Sequence, residues 1–336
     1  MTTTAAGPSP ELFFATVFAY QRTAALNAAI ELELFTAIDE GAQTVPAIAK
    51  RCKASERGTR MLCDYVTVSG FLTKTGDRYQ LTPDTAFFLS KKSQAYLGGT
   101  TEFLASPDLK RRADGVAATV RRGTVAEEGN MVSADNPVWQ TFARAMTPMM
   151  MPAAQAIADI LDVKSAGAIR VLDIAAGHGI FGIVIAQRNA QAEIVAVDWK
   201  GVLAVAAENA ARMGVGARHR GVPGDAFTTD FGTGYDVALV TNFLHHFDTP
   251  TCEGLLRKIA KSMKPGGRVA ILEFVPNDDR VSPPMPASFV FNMLVGTPAG
   301  DAYTFRELGD MLTAAGFSGT TRHALPTPET LVVATK

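Results

Sequence analysis

The sequence predicts an α/β protein in which a doubly wound, seven-stranded sheet follows a mostly helical N-terminal domain. Three observations lead to this prediction. Short apolar segments alternate with helical ones from Arg170 onward, as in a largely parallel sheet covered by helices on both faces. A glycine-rich loop follows the first of these segments, and the chain before it is helical apart from one hairpin. We therefore expect a helical domain over residues 1–104, with linker helices and the sheet domain over residues 105–336.

Composition and charge are those of a globular chain and argue against several classes of protein. The 336 residues are 47% hydrophobic and 19% charged, with a formal net charge of −1, so no general attraction to nucleic acid or to an anionic membrane is expected. Cys52, Cys63 and Cys252 lack metal-type spacing and form no even disulfide set, which favours a reducing cytoplasm and no metal site. Neither a signal peptide nor an apolar run of about 18 residues is visible, so we expect a cytoplasmic protein without a membrane span.

The N-terminal segment Glu11–Ile38 predicts a long helical pattern with little interruption, apolar over much of its circumference. Such a helix must be covered, because an exposed apolar face is unfavourable in water. It could pack on its own domain. The interpretation we favour is packing against a second copy of the chain, which predicts a homodimer formed through the N-terminal domain.

Residues 44–89 predict a helix, a turn, a second helix and a hairpin. Thr44 and Ser55 are the predicted caps of the two helices, and the hairpin strands are placed at 71–73 and 79–82. This is a winged-helix pattern, for which DNA binding is the obvious hypothesis. The segment has seven basic and four acidic residues, and the basic ones are scattered. We therefore expect a structural or dimerising role and no nucleic-acid partner.

The linking region and the sheet domain are predicted from hydrophobic pattern. Residues 106–136 predict loops and short helices, and Trp139–Ile160 predicts a helix whose methionines are either core or a wall of an aromatic-substrate pocket. The predicted strands are 170–174, 193–197, 218–222, 235–241 and 268–274, and an antiparallel pair at 318–323 and 330–334. Helices are expected at 201–213, from 249 onward and at 303–315. A ligand of such a sheet lies at the carboxyl ends of its strands.

The loop that follows the first strand is the main indication of function. Gly177-His178-Gly179-Ile180-Phe181-Gly182 matches G-x-G-x-x-G, and Asp198 lies about twenty residues further on, as a dinucleotide site requires. The same features fit S-adenosylmethionine (SAM), which needs close backbone approach and an acid for its ribose. Gly177 and Gly179 allow that approach because they lack a Cβ atom.

Three strand ends converge on this predicted ligand. Asp198 can accept hydrogen bonds from both ribose hydroxyls, and Asp225 can accept one from the adenine amino group. Trp199 and Phe227 flank these acids and could stack on adenine. A dinucleotide does not explain Asp225, which favours SAM. Either aspartate alone could instead be a helix N-cap.

The fourth strand ends in Asn242-Phe243-Leu244-His245-His246. Imidazole titrates near neutral pH, so His245 is the candidate general base. His246 is a neighbour or an orienting group. Glu273 lies in the apolar fifth strand and could fix the tautomer of His245, as a carboxylate does in a triad. The alternative is a buried carboxylate that is satisfied by backbone N–H groups.

Several motifs together resemble one family. They are Val171-Leu172-Asp173 with its glycine loop, Val197-Asp198, Gly224-Asp225-Ala226-Phe227, Leu244-His245, Glu273, Phe142-Ala143-Arg144-Ala145-Met146 and Phe291-Asn292-Met293-Leu294. Over almost its whole length the chain resembles the SAM-dependent O-methyltransferases of the winged-helix type, which include plant caffeate, hydroxyindole and many bacterial enzymes.

This resemblance implies a function and a set of site residues. The reaction would be transfer of a methyl group from SAM to a hydroxyl of a small aromatic or polyketide-like acceptor, with His245 as base and Glu273 supporting it. The implied cofactor site also includes Asp173, the segment Gly224–Phe227 and Asn242. The implied acceptor site consists of Phe142, Met146, His246, Asn292 and Met293.

The chain departs from the plant members at three places. The loop reads Ala175-Ala176-Gly177-His178-Gly179 in place of Gly-Gly-Gly-Thr-Gly, and Thr241 stands where plant members have a lysine that contacts the cofactor. A second family glutamate is replaced within Gly300–Thr304, where Asp301 is a candidate substitute.

Four alternatives remain at this point. The same scaffold could methylate carbon. The adjacent His245 and His246 could assist methylation through a metal, although adjacent side chains rarely bind one metal together. The chain could be a ligand-sensing, DNA-binding regulator, or a dehydrogenase that uses a nicotinamide dinucleotide.

Overall fold

The computed structural model describes residues 7–336. Contacts divide the chain into two compact units, Met1–Ala105 and Ser106–Lys336. No helix within the described range is long and apolar enough to cross a membrane.

The first unit consists of helices and one two-stranded hairpin. Its elements are α1 (Glu11–Val17), α2 (Ala19–Glu31), α3 (Leu34–Asp39), α4 (Val45–Cys52), α5 (Glu56–Val68), β1 (Leu72–Thr75), β2 (Arg78–Leu81), α6 (Pro83–Leu89) and α7 (Thr101–Leu104). Its core gathers buried side chains of α3, α4, α5 and the hairpin, among them Phe35, Ile48 and Tyr79. The succession α4, α5, β1 and β2 is the winged-helix arrangement that the sequence predicts.

The predicted helical pattern over Glu11–Ile38 has two short interruptions in the structure. The backbone leaves helical geometry at Phe18, where ψ is 0°, and again at Glu33, which has a left-handed φ of 53°. The segment therefore forms three helices. None of the residues of α1 is buried within the chain.

The helix caps of this unit are partly as predicted. The Ser55 side chain accepts a hydrogen bond from the backbone N–H of Gly58 at 3.2 Å, which confirms its capping role. Thr44 also occupies the N-cap position, but its side chain accepts no such bond. The hairpin strands lie one or two residues from their predicted positions.

The second unit contains the large sheet and the helices around it. Its helices are α8 (Pro107–Asp114), α9 (Val116–Arg122), α10 (Val138–Ile160), α11 (Ile180–Arg188), α12 (Lys200–Arg212), α13 (Thr249–Ser262), α14 (Pro284–Ser288), α15 (Val290–Gly296) and α16 (Phe305–Ala314). Its strands are β3 (Arg170–Ile174), β4 (Glu193–Asp198), β5 (His219–Pro223), β6 (Tyr235–Thr241), β7 (Met263–Glu273), β8 (Ser318–Ala324) and β9 (Thr330–Thr335).

The predicted doubly wound sheet of seven strands is confirmed. The strand order is β5-β4-β3-β6-β7-β9-β8, in which β5 to β7 run parallel and β9 and β8 are antiparallel. Strand β3 lies between β4 and β6, so the direction of winding reverses beside β3. Ligands of open α/β sheets bind outside the carboxyl strand ends at this point of reversal.

The strand register brings the predicted site segments to one edge. Ile174 of β3 pairs with Val197 of β4 and with Val240 of β6. Thr241 at the end of β6 pairs with Leu272 of β7. The loops that follow β3 to β6, together with the last residue of β7, therefore lie side by side at the carboxyl edge.

One strand boundary differs clearly from the prediction. A strand is predicted at 268–274, whereas β7 already begins at Met263. Met263 pairs with Tyr235, and the register then shifts between Tyr235 and Val237. This shift in register accommodates residues 263–267, which precede the predicted strand. Gly266, one of them, has a left-handed φ of 76°.

Candidate active site

The glycine loop after β3 turns through left-handed backbone. Ala175, Gly177 and Gly179 have φ values of 52°, 57° and 73°, a region in which glycine is favoured because it has no Cβ atom. A Cβ atom at Gly179 would come within 2.9 Å of the Ala206 Cβ atom of α12. Glycine at 179 therefore allows α11 to start close against α12.

Asp173 is sealed beneath this loop. Its side chain is fully buried, and its Oδ2 atom accepts a hydrogen bond from the backbone N–H of Gly182 at 3.2 Å. Burial raises the pKa of Asp173 to about 7. The Oδ1 atom has no hydrogen-bond partner among the described residues. Asp173 thus holds the start of α11 and retains one unused acceptor.

Asp198 connects the glycine loop to the end of β4. Its carboxylate accepts hydrogen bonds from the backbone N–H groups of Gly177 at 2.8 Å and of Trp199 at 2.7 Å. Burial raises the pKa of Asp198 to about 6 in spite of these bonds. Trp199 packs against the buried cluster of Ala143, Val202 and Val205. The side chain of Asp198 is partly buried, so additional donors would stabilise its charged form.

The segment Gly224–Phe227 lies after β5, at the same edge. The Oδ1 atom of Asp225 accepts a hydrogen bond from the backbone N–H of Phe227 at 2.8 Å. Lys258 of α13 holds this loop, because its Nζ atom donates to the carbonyl oxygens of Ala226 and Thr229 at 2.9 and 2.7 Å. The sequence pattern did not indicate this role of Lys258.

His245 and Glu273 meet at the ends of β6 and β7. The Nδ1 atom of His245 is hydrogen-bonded to the Oε2 atom of Glu273, and both side chains are buried. The Oε1 atom of Glu273 also accepts from the backbone N–H groups of Phe243, Leu244 and His245 at 3.1, 2.8 and 3.3 Å. Both predicted alternatives for Glu273 therefore describe one arrangement. The carboxylate is satisfied by backbone donors and also orients the imidazole.

His246 lies beside His245 with a ring-centre distance of 4.1 Å. Its Nδ1 atom is 3.1 Å from the carbonyl oxygen of Phe243. Burial, and next the neighbouring His245, lower the pKa of His246 well below its ordinary value. His246 is therefore a neutral imidazole at pH 7.

Two aromatic residues that the sequence analysis did not assign to the site surround this histidine pair. Trp139 approaches His246 edge-on at 5.2 Å between ring centres, and Phe289 approaches His245 edge-on at 4.9 Å. Phe289 in turn stacks on Phe274 at 4.1 Å. The only available signal was that Trp139 is one of two tryptophans and that Phe289 precedes the predicted acceptor helix.

The predicted residues of α10 reach the glycine loop. Phe142 stacks on His178 at 6.2 Å between ring centres, and the buried Met146 lies one turn further along the helix.

Asn242 has a left-handed φ of 52°, and its Nδ2 atom is 3.8 Å from the sulfur of Met150. The buried Oδ1 atom of Asn242 has no partner among residues 7–336.

The predicted acceptor residues on α15 differ in exposure. Met293 is buried, whereas the side chain of Asn292 is exposed. The face of α15 that carries Met293 thus packs inward, one turn after Phe289 and its contact with His245.

Asp301 does not reach the ring of His245. Its carboxylate pairs with Arg280 at 3.3 Å, while its backbone N–H donates to the carbonyl oxygen of His245 at 2.9 Å. Asp301 therefore supports the main chain of the base and leaves Nδ1 to Glu273. Within residues 7–336, no group of three or more His, Cys, Asp or Glu side chains is arranged to hold a metal ion.

Comparison with protein families gives two matches in separate parts of the chain. The profile described as an O-methyltransferase dimerisation domain matches residues 14–91. The profile described as a methyltransferase domain matches residues 172–269. The two matches fall within the first and the second unit respectively.

Relatives with named activities cover nearly the whole chain. The 3-hydroxy-5-methyl-1-naphthoate 3-O-methyltransferase of Streptomyces sahachiroi is 28% identical over 94% of this chain and 92% of its own length. The L-tyrosine C(3)-methyltransferase of Streptomyces lavendulae is 26% identical over 97% of this chain and 91% of its own.

Two solved structures extend the likeness to the fold. A candidate O-methyltransferase of Nostoc punctiforme is 48% identical with a TM-score of 0.94, covering 98% of this chain and 100% of its own. Human N-acetylserotonin methyltransferase, solved in complex with SAM, has a TM-score of 0.85 at 20% identity and covers 100% of this chain and 99% of its own. At 20% identity, the similarity to the human enzyme shows a common fold alone.

Proposed function

Since the chain belongs to the O-methyltransferase family, we propose that it transfers a methyl group from SAM to a hydroxyl group of a small aromatic or polyketide-like acceptor. The relative named for a hydroxynaphthoate, which matches over nearly the whole chain, supports an aromatic acceptor. The aromatic side chains around His245 and His246 suit a flat ring.

The residues at the carboxyl strand edge suit SAM. Asp198 would accept hydrogen bonds from the ribose hydroxyls, and these donors would stabilise its buried charge. Asp225 would accept from the adenine amino group, with Trp199 and Phe227 beside it. The unpartnered Oδ1 atom of Asn242 would accept a donor from the bound cofactor. When bound, SAM supplies a methyl group on a positively charged sulfur, which is a good leaving group.

His245 would remove the proton of the acceptor hydroxyl. Because the Oε2 atom of Glu273 accepts from Nδ1, the lone pair of the neutral imidazole lies on Nε2. A phenol has a pKa of about 10, so it is largely un-ionised at neutral pH and needs this base. Glu273 would then stabilise the imidazolium that forms, as the carboxylate of a catalytic triad does.

One observation supports the proposal most directly. The buried His245–Glu273 pair lies on the same strand edge as the glycine loop and Asp198. Neighbouring parallel strands thus bring the proposed base close to the proposed cofactor site. Both are needed for methyl transfer to a weakly acidic hydroxyl.

The test is a screen of phenolic and polyketide-like acceptors with SAM, read as a mass gain of one methyl group. We expect O-methylated products, and calorimetry should detect binding of both SAM and its demethylated product, S-adenosylhomocysteine (SAH). A purified chain that binds neither compound would contradict the proposal.

Carbon methylation is a second candidate, because one full-length relative is named a tyrosine C(3)-methyltransferase. A phenolate is nucleophilic at the ring carbon next to its oxygen as well as at oxygen. The same base would therefore serve both reactions. NMR spectra of the product distinguish a new methoxy signal from a methyl group on the ring.

We also propose that the chain forms a homodimer through its first unit. The side chains of α1 and the start of α2 expose a continuous set of apolar groups: Leu12, Phe13, Phe14, Val17, Phe18 and Tyr20. The profile described as a dimerisation domain matches residues 14–91. A second copy of the chain would cover this surface and remove it from water.

A further inference from the structure

The connecting segment, residues 297–304, joins α15 to α16 and lies against the main chain of the proposed base. The backbone N–H of Asp301 donates to the carbonyl oxygen of His245 at 2.9 Å. The hydroxyl of Tyr303 donates to the carbonyl oxygen of Phe247 at 2.5 Å. The connecting segment therefore holds the loop of the histidine pair by its carbonyl groups.

Gly300 leaves no room for a side chain beside His245. A Cβ atom at Gly300 would lie 2.2 Å from the carbonyl oxygen of His245 and 2.5 Å from the Oγ1 atom of Thr297. It would also lie 3.0 Å from the carbonyl carbon of His246. The φ angle of Gly300 is outside the left-handed region, so its backbone conformation does not require glycine. Glycine is needed at this position because of the space alone.

Hydrogen bonds hold both sides of this contact. The backbone N–H of Gly300 donates to the Oγ1 atom of Thr297 at 3.0 Å, and that hydroxyl donates to the carbonyl oxygen of Met293 at 2.8 Å. On the other side, the backbone N–H of His245 donates to the Oε1 atom of Glu273 at 3.3 Å. A carbon–oxygen contact settles at about 3.3–3.6 Å, so an added methyl group would push the two sides apart by roughly 1 Å.

A shift of this main chain would change the position of the imidazole. The Nδ1 atom of His245 is hydrogen-bonded to the Oε2 atom of Glu273. Glu273 is the last residue of β7 and pairs with Thr330 of β9, so the sheet prevents it from following the loop. The hydrogen bond between imidazole and carboxylate therefore depends on the room that Gly300 leaves.

We infer that Gly300 is a positioning residue for the proposed base. The missing side chain lets the connecting segment fix the main chain of His245 and, through it, the orientation of the imidazole. Tyr303 supports the same loop through Phe247. This inference rests on the proposed function, because it assigns residues that act through the base of that reaction.

The experiment compares Gly300→Ala with Gly254→Ala in the full chain. Gly254 lies in α13, which begins directly after the histidine pair, and a Cβ atom there would meet no other atom within 4 Å. The first readout is the downfield proton NMR signal of the His245 Nδ1–H group, assigned by its loss in His245→Ala. Because a longer hydrogen bond shields its proton, the signal should move upfield in Gly300→Ala. It should stay in place in Gly254→Ala.

The second readout is turnover with SAM and 2-naphthol as the probe acceptor. In Gly300→Ala we expect kcat to fall by about 10- to 10²-fold, because a misplacement of roughly 1 Å at a catalytic group costs up to that much. The affinity for SAH, measured by calorimetry, should stay near that of the wild type and reports whether the fold is intact. Gly254→Ala should change neither quantity.

An unmoved NMR signal in Gly300→Ala overturns the inference whatever the value of kcat, because Gly300 would then be structural. A kcat equal to that of the wild type also overturns it. If 2-naphthol is not methylated by the wild type, the NMR signal decides alone. If Gly300→Ala loses SAH binding, Tyr303→Phe replaces it in the test. Removal of that hydroxyl should move the signal upfield by a smaller amount, and an unmoved signal overturns the inference.

These outcomes are distinguishable from those of the proposed function, because the NMR signal can be recorded without acceptor or cofactor. A wild type that binds neither SAM nor SAH contradicts the proposed function, while the signal still tests the contact of Gly300 with His245. Methylation by the wild type together with an unmoved signal in Gly300→Ala leaves the proposed function standing and overturns the inference.

Discussion

At the scale of single residues, hydrogen bonds determine which atoms of the site carry protons. Glu273 accepts three backbone N–H groups and the Nδ1–H group of His245. Four donors satisfy both oxygens of this buried carboxylate. Because Oε2 accepts from His245, the proton of that ring lies on Nδ1. The base therefore presents Nε2 to its substrate.

Replacing the proposed base tests the mechanism at this scale. His245→Ala should lower kcat by about 10²- to 10⁴-fold, because a positioned general base contributes that much to a proton transfer. The affinity for SAM should stay nearly unchanged, since His245 makes no bond to the residues assigned to the cofactor. Turnover is followed by mass spectrometry and affinity by calorimetry. An unchanged kcat would remove His245 from the mechanism.

Asp198 allows a prediction that links ligand binding to stability. Its pKa is raised from 3.8 to about 6 by burial, so between these values the folded chain binds more protons than the unfolded chain. The contribution of Asp198 to the free energy of unfolding of the ligand-free protein should therefore fall as the pH rises from about 4 to 6, by about 2–3 kcal/mol. SAM binding should show the opposite trend and weaken below about pH 6, because the ribose hydroxyls need the charged acceptor.

Asp198→Asn tests both parts. The free energy of unfolding of the variant, taken relative to the wild type, should rise by about 2–3 kcal/mol between pH 4 and 6, while its SAM affinity at pH 8 falls about tenfold or more. Urea denaturation and calorimetry measure the two quantities. Asp230→Asn is the control, because Asp230 is exposed and should change neither. A difference that stays constant between pH 4 and 6 would show that the pKa of Asp198 is not raised in the folded protein.

At the scale of elements, helix α13 begins directly after the histidine pair. Its N-cap is Asp248, whose side chain accepts from the backbone N–H of Thr251 at 2.9 Å. The pKa of Asp248 is lowered below its usual value of 3.8, first by a side-chain hydrogen bond from Thr251 and next by this backbone bond. Its stabilising effect is therefore present above pH 3.8 and is lost as the pH falls through the lower folded-state pKa.

Removing this cap should destabilise the start of α13. Asp248→Ala should lower the free energy of unfolding by about 0.5–2 kcal/mol at pH 7, because one backbone donor loses its partner. Asp248→Asn should cost much less, since asparagine caps nearly as well. Thermal denaturation of the three proteins gives the comparison. Equal losses in both variants would mean that charge, and not the cap, provides the stabilisation.

The longest helix, α10, shows how an element combines two roles. It contains Pro148 and Pro152 in its interior, each of which removes a backbone donor and bends a helix. Buried side chains of α10 pack with α12 through Ala143, Val202 and Val205. The same helix brings Phe142 onto His178 of the glycine loop. The methionines near the bend thus contribute to core and also lie beside the candidate site, as Met150 does next to Asn242.

At the scale of the whole molecule, the exposed apolar surface of α1 and α2 predicts association. Phe14 and Phe18 are each 50% exposed, and their rings stack at 6.3 Å. The double variant Phe14→Glu/Phe18→Glu should be monomeric in analytical ultracentrifugation, because burying two carboxylates in an apolar interface is costly. The wild type should sediment as a dimer.

A matched control separates this surface from exposed apolar residues in general. Val120 is 61% exposed and lies on α9 in the second unit. Val120→Glu adds the same charge to another apolar position and should leave the dimer intact. If the double variant sediments as the wild type does, α1 is not part of the interface.

The sequence by itself determined the fold class and most element positions in the second unit. Strands β3 and β6 have the predicted bounds, and α10 differs by one residue. The strands are apolar throughout because both of their faces are buried, and in α10 the apolar residues recur with the period of a helix. Local sequence pattern is therefore sufficient to identify these segments. It did not locate the two short breaks within the helical segment Glu11–Ile38, because apolar residues continue on both sides of each break. Apolar composition does not report a change of backbone direction.

Only the tertiary structure decided which atoms meet. Glu273 lies 28 residues from His245 in sequence and reaches it because β7 pairs with β6. The tautomer of His246, the approach of Trp139 and Phe289, and the pairing of Asp301 with Arg280 likewise have no local signature. The physical reason is the distance along the chain over which each effect acts. Periodicity and turn chemistry act over a few residues, whereas a proton's position depends on partners that strand order and register bring together.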